Sequence, residues 1–211
     1  MVCDFITLSN LVGSGGAEIA ERLGARLGWP VFDRQILTAM ADNDEMRARL
    51  YHSMDERDLG WFEETFRALM QREFRKNDYF HRLSETVLCL ARRGPAIFLG
   101  RAADLILPAG RGLRVKVIAS RRRRIENFAA TMKITPERAA AEIDRIERER
   151  RDFLHRHFHG DFTDCTRFDL VVNVERFTCE QAVELILGAL RLRTEHRPEG
   201  ASPPLDHRVG P

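Results

Sequence analysis

Lysine is nearly missing from this chain. Of its 34 basic residues only Lys76, Lys116 and Lys133 are lysines, so arginine carries almost all of the positive charge. The four cysteines, Cys3, Cys89, Cys165 and Cys179, stand far apart and form no C-x-x-C pair. That spacing argues against a zinc site or a disulfide framework and leaves reduced, packed thiols as the expectation. A formal charge of +2 is too small to draw nucleic acid by bulk electrostatics. No apolar run approaches membrane-spanning length, and the opening "MVCDFITLSN" has an acid at Asp4 and no basic n-region. A cytoplasmic protein without nucleic-acid or membrane partners is expected; no protein partner is indicated. There is no internal repeat.

What is present fits one domain with a sizeable core: 211 residues, 44% of them hydrophobic. "CDFITLS" (residues 3 to 9) predicts a short buried strand, and "GAEIAERLGARLG" (16 to 28) a helix with Ile19, Leu23 and Leu27 on one face. "WPVFD" predicts a second strand ending at Asp33. Between Arg34 and Arg93 the stretches "RQILTAMA", "WFEETFRALMQREF" and "YFHRLSETVLCLARR" all predict amphipathic helices. "AIFLG", "LRVKVIA" and "FDLVVNV" supply three more strands, each followed by a helical pattern. Strands alternating with helices imply a mostly parallel sheet covered on both faces. Thr135 and Pro136 form a helix start, "CEQAVELILGALRL" a last helix, and the segment after residue 192 a tail rich in proline and glycine.

The first strand runs through a glycine turn into the first helix, an arrangement that offers unpaired N–H groups and a positive dipole end to an anion. Gly13, Gly15 and Gly16 are placed to wrap phosphate oxygens. The full phosphate-loop pattern, G-x-x-x-x-G-K-[ST], falls on Asn10, Gly15, Gly16 and Ala17, so only Gly15 matches and the lysine position holds Gly16. Taken alone, a tight turn that binds nothing explains these glycines as well.

Four stretches together resemble the cytidylate kinase-like family: "ITLSNLVGSGGAEIAERLGARLGWPVFDRQIL", "IFLGRAADLIL", "VKVIASRRRRIENF" and "IERERRDFLHRHFHGDFTDCTRFDLVVNV". The last carries an acid-x-x-Arg-x-x-aromatic pattern at Glu147, Arg150 and Phe153. The resemblance covers about residues 4 to 192. It implies an α/β P-loop kinase fold with a five-stranded parallel sheet, a helical nucleoside-monophosphate-binding insertion near 34 to 94 and a helical lid near 133 to 165. It also implies ATP and Mg²⁺ as donor and metal, and nucleotides as substrates. Gly13, Ser14, Gly15 and Gly16 match the loop that would hold ATP phosphates. Asp33 and Arg34 match the place where related kinases approach the acceptor. Arg101 matches the arginine of a G-R-D motif that grips the acceptor, with Ala102 in place of the aspartate. Arg124 matches an arginine after the fourth strand and Arg150 a lid arginine, the two expected in charge neutralisation. Asn10 and Ala17 stand where relatives often carry arginine.

Phosphoryl transfer asks the protein for alignment and charge neutralisation, so a well-placed arginine can do much of what a lysine does. Most lid charges also suit a solvated helix face, with Asp144 and Arg148, Arg145 and Glu149, and Glu147 and Arg151 spaced i,i+4. Asp33 doubles as a helix N-cap, and Ser14 as a turn residue. His155, His157 and His159 lack a full ligand set, so no protein metal site is expected. Trp61, Phe62, Phe66, Phe74, Tyr79 and Phe80 suit the packing of the insertion, with room for one to stack a base. The expected activity is ATP-dependent transfer to a CMP- or dCMP-like nucleoside monophosphate or a related small acceptor. Alternatives are a nucleotide-binding regulator of the same fold without useful transfer, and a helical interaction protein.

Overall fold

The computed structural model describes residues 4–54, 56–71 and 78–195. Cys3, Phe74, Lys76 and the tail beyond residue 195 lie outside them. Strand β1 (Phe5–Asn10) leads through the glycine turn into α1 (Gly16–Leu27) and then β2 (Val31–Phe32). Four helices follow: α2 (Arg34–Ala41), α3 (Asp44–His52), α4 (Glu56–Gln71) and α5 (Asp78–Arg93). Then come β3 (Ala96–Leu99), the short α6 (Ala103–Ile106), β4 (Gly112–Ile118), α7 (Arg121–Met132), α8 (Pro136–Phe158), β5 (Leu170–Asn173) and α9 (Cys179–Glu195).

The five strands form one parallel sheet in the order β2-β3-β1-β4-β5. Alternation along the strands divides the core. Phe5 and Phe98 pack with Leu37, Phe80, Leu83 and Val87 of the insertion, whereas Ile6, Leu8, Ile97, Val115 and Val117 pack against α1 and α9. Because every strand points the same way, the turns after β1, β2 and β3 emerge at one edge, where open α/β sheets bind ligands. That edge receives the glycine loop, Asp33 with Arg34, and Arg101.

Two elements differ from the sequence reading. Helix α3 was not anticipated, because only Leu50 of its nine residues is buried and the apolar period is thin. It is fixed by its cap: the Asn43 side chain accepts from Met46 N at 2.9 Å, and Asp44 and Glu45 complement the dipole. Helix α9 runs three residues past the expected end, to Glu195. Arg193, in its last turn, pairs with Asp169 at 3.0 Å and donates to the Ala109 carbonyl at 2.8 Å. No described helix is long and apolar enough to cross a membrane.

Candidate functional site

Strand β1 delivers Asn10 to the sheet edge, and the chain then turns through Gly13 (φ +83°) and Gly15 (φ +79°) into α1. Both conformations are left-handed, which is why glycine stands at each. Gly13 is also hemmed in, since a Cβ there would lie 2.3 Å from the Arg124 carbonyl oxygen. Among the described residues the N–H groups of Gly13, Gly15, Gly16 and Ala17 meet no acceptor. They make a cradle at a helix N-terminus that fits a phosphate. The Ser14 hydroxyl does not join it: buried, it shares its proton between the carbonyls of Leu11 (2.8 Å) and Val117 (3.3 Å) and braces the turn.

The geometry explains why no lysine stands at position 16. A Cβ on Gly16 would lie 2.5 Å from Cβ and 2.6 Å from Cγ of Asn10, whose side chain covers the start of α1. Asn10 and Gly16 are therefore complementary, and Gly16 cannot gain a side chain while Asn10 keeps its own. Alanine is favoured over glycine in helices by about 1 kcal/mol, but overpacking costs about 1–3 kcal/mol. We expect Gly16→Ala to lose stability, Gly16→Lys to lose more, and Asn10→Gly to relieve both. Denaturant midpoints of the four variants check this; a stabilised Gly16→Ala would refute it.

The described lysines do not supply the missing charge. Lys116 is buried on β4, donating to the Phe162 carbonyl at 2.9 Å, and Lys133 forms the left-handed C-cap of α7. Arg150 reaches the head of the loop. From helix α8 its Nη1 donates to the Asn10 carbonyl at 2.8 Å, at the residue that opens the loop. Burial lowers the Arg150 pKa, Glu147 raises it, and the charges of Arg34 and Arg101 lower it further. Arg101 is likewise lowered first by burial, raised by Tyr79, lowered by Arg34 and raised by Asp42. Arg150 thus stands in the field of both Arg34 and Arg101, and Arg101 in that of Arg34. Guanidinium keeps its charge under such conditions, so the cluster is a strong attractor for a doubly charged anion.

Arg101 is held in an unusual way. Gly100, Arg101 and Ala102 have φ of 75°, 56° and 53°, three left-handed residues in a row, two of them not glycine. Strain of this kind is maintained by surrounding contacts and concentrates at functional sites. Arg101 Nη2 donates to Thr38 Oγ1 at 3.0 Å, and its guanidinium lies 5.7 Å from the centre of the Tyr79 ring. Its Nε is buried without a partner. Arg34 is exposed at the start of α2, and Asp33 caps that helix, one carboxylate oxygen accepting from Ile36 N at 2.9 Å.

Arg124 is placed differently from the other arginines. It is buried, 2.7 Å from Glu147 on α8, and also donates to the Val12 carbonyl at 3.3 Å. Glu147 in turn accepts from Val12 N at 3.2 Å, and Asn127 of α7 donates to the Gly13 carbonyl at 3.1 Å. Helices α7 and α8 thus grip the glycine loop from outside, with the Arg124 charge matched by Glu147. The pairing along α8 also departs from expectation. Arg145 does pair with Glu149, but Asp144 turns to Arg121 at 2.7 Å and Glu147 to Arg124. The reason lies in the spacing: both acids and both arginines stand three apart, so they match rung to rung across two packed helices. His157 is buried, its ring 4.6 Å from that of Phe80 and 4.7 Å from that of Phe153. Among the described residues no three or more His, Cys, Asp or Glu side chains gather as a metal site.

Comparison with known proteins bears on the family and the fold. The model of the cytidylate kinase-like family matches residues 5–176. A cytidylate kinase from Halobacterium salinarum is 23% identical over 201 residues, covering 94% of this chain and 95% of the relative. Among solved structures, an uncharacterized protein from Eubacterium ventriosum superimposes with a TM-score of 0.72 at 14% identity, over 89% of this chain and 98% of the other. A shikimate kinase from Bacteroides thetaiotaomicron gives a TM-score of 0.48 at 13% identity, over 89% and 98%. With its parallel five-stranded P-loop kinase fold and a match running from the first strand to beyond the fifth, the chain belongs to the cytidylate kinase-like family.

Proposed function

We propose that this protein is an ATP-dependent phosphotransferase acting on a nucleoside monophosphate of the CMP or dCMP type, or a related small phosphorylated acceptor. The observation that carries the proposal is the contact of Arg150 with the Asn10 carbonyl, at the head of a glycine loop whose N–H groups meet no acceptor among the described residues, with the charges of Arg34 and Arg101 acting on Arg150. Two anionic groups brought together need such a density of positive charge, and one structural phosphate would not. The N–H groups of Gly13, Gly15, Gly16 and Ala17 would hold the donor phosphates. ATP would supply the phosphoryl group, and Mg²⁺ would be carried mainly by its phosphates, since Mg²⁺ keeps several waters and needs few protein ligands. Asp33 retains one carboxylate oxygen outside its capping bond and would reach the metal through water.

Arg101 and Arg34 would fix the acceptor phosphate at the sheet edge, aligning an oxygen with the donor. Arg150, in contact with the Asn10 carbonyl and in the field of Arg34 and Arg101, would neutralise charge on the oxygens that move. Docked over the loop, α8 would also shed water from the site, which strengthens every one of these interactions. A nucleotide-binding regulator of the same fold would share the cradle but show no transfer.

Thermal unfolding tests the assignment. A ligand that binds only the folded state raises apparent stability, by about 2.7 kcal/mol at a hundred times its Kd. ATP with Mg²⁺ and CMP should each stabilise the wild type, and Arg101→Ala should abolish stabilisation by CMP while leaving that by ATP. If Arg101→Ala leaves stabilisation intact for CMP, dCMP, UMP and AMP alike, the acceptor assignment is wrong.

A further inference from the structure

Thr38 and Tyr79 stand beside the arginine cluster, and their hydrogen bonds have a direction. Arginine can only donate, so in the 3.0 Å bond between Arg101 Nη2 and Thr38 Oγ1 the hydroxyl is the acceptor. Thr38 Oγ1 lies 3.3 Å from the Tyr79 hydroxyl, which among the described residues has no hydrogen-bond partner other than Thr38. Either hydroxyl can donate in that contact, and acceptance from the Arg101 cation makes the Thr38 proton the stronger donor, so the phenol oxygen is the favoured acceptor. The phenol is then left with its own proton free to donate outward, in a chain polarised by the Arg101 charge. Tyr79 also lies under the Arg101 guanidinium, 5.7 Å from ring centre to carbon, and is only half-buried, so it has access to whatever Arg101 binds.

We infer that Tyr79 reads the acceptor: its hydroxyl donates a hydrogen bond to a carbonyl oxygen or ring nitrogen of the group attached to the acceptor phosphate. Thr38 is the positioning residue that sets the direction of this bond. The inference rests on the acceptor site described above, and it names the chemistry that the site selects. Arg101 and Arg34 would bind the phosphate, which every candidate acceptor has, whereas the Tyr79 proton favours an acceptor with a lone pair at that place, as a pyrimidine ring offers. A site built around a donated hydrogen bond discriminates better than an apolar one, because a partner that cannot accept leaves the donor unsatisfied.

The test uses two probes, CMP and inorganic phosphate, titrated calorimetrically into the wild type, Tyr79→Phe, Thr38→Val and Thr38→Ser. Phenylalanine keeps the ring under Arg101 and removes only the hydroxyl. The expected result is a loss of about tenfold in CMP affinity for Tyr79→Phe and Thr38→Val, the size of one hydrogen bond. Phosphate affinity should stay within about twofold in Tyr79→Phe, and Thr38→Ser should behave as the wild type. A purely structural role would weaken both probes together, and that outcome overturns the inference, as does unchanged CMP affinity in Tyr79→Phe. A wild type that binds neither probe overturns the acceptor site itself, and the inference with it.

Discussion

Arg150→Ala is expected to lower the rate of phosphoryl transfer by about a thousandfold or more, the effect seen when a single arginine that neutralises the transferred group is removed. The expectation follows from how few cations reach the glycine loop. Position 16 is closed to a lysine by the Asn10 side chain, Lys116 is bonded to Phe162 on β4, and Arg124 is matched by Glu147. Among the hydrogen bonds at the loop, the one to the Asn10 carbonyl comes from Arg150, which also feels the charges of Arg34 and Arg101. Arg150→Lys should recover part of the loss, since charge returns but the two-pronged geometry does not. Single-turnover measurements separate this from weakened binding. The effect should lie in the rate at saturating ATP and acceptor, and a variant with normal saturated rate and raised KM alone would show that Arg150 only binds.

Glu147→Ala is expected to cost about 3–5 kcal/mol of folding stability, the usual penalty for leaving one member of a buried ion pair without the other. Its carboxylate is buried with Arg124 and also accepts the Val12 N–H, so the substitution strands a guanidinium and a backbone donor together. The paired change Arg124→Ala with Glu147→Ala should cost clearly less than the sum of the two single changes, because no charge is left buried. Urea denaturation of the four proteins gives the coupling directly. Additive losses would mean that the pair contributes nothing as a pair. Because Glu147 and Arg124 hold Val12, and Asn127 holds Gly13, the same variants should also loosen ATP binding.

The fold was legible because its signals are local. Apolar strands alternate with amphipathic helices, and the glycines at 13 and 15 stand where the turn needs left-handed backbone. The sequence also showed Arg101 directly after an apolar strand, and the structure puts it at the carboxyl edge beside Arg34 and Arg150. What was not legible depends on side chains far apart in the chain. Asn10 covering Gly16 crosses a turn, Arg124 and Glu147 are 23 residues apart, and Thr38 meets Arg101 across 63. The i,i+4 pattern on α8 pointed the acids along their own helix, and only the matching three-residue spacing on α7 hinted that they pair across. Ser14 looked like a phosphate contact because hydroxyls serve so often in such loops, yet burial gives its proton to backbone carbonyls.

The central claim is that a loop without lysine still supports transfer because arginines from the sheet edge and the lid supply the charge. Its most direct test is an assay with γ-labelled ATP and Mg²⁺, offering CMP, dCMP, UMP and AMP separately beside a blank without acceptor. The account predicts label appearing on at least one acceptor, dependent on Mg²⁺ and absent from the blank. ATP that binds without passing its label to any of them would contradict the account and favour a nucleotide-binding regulator.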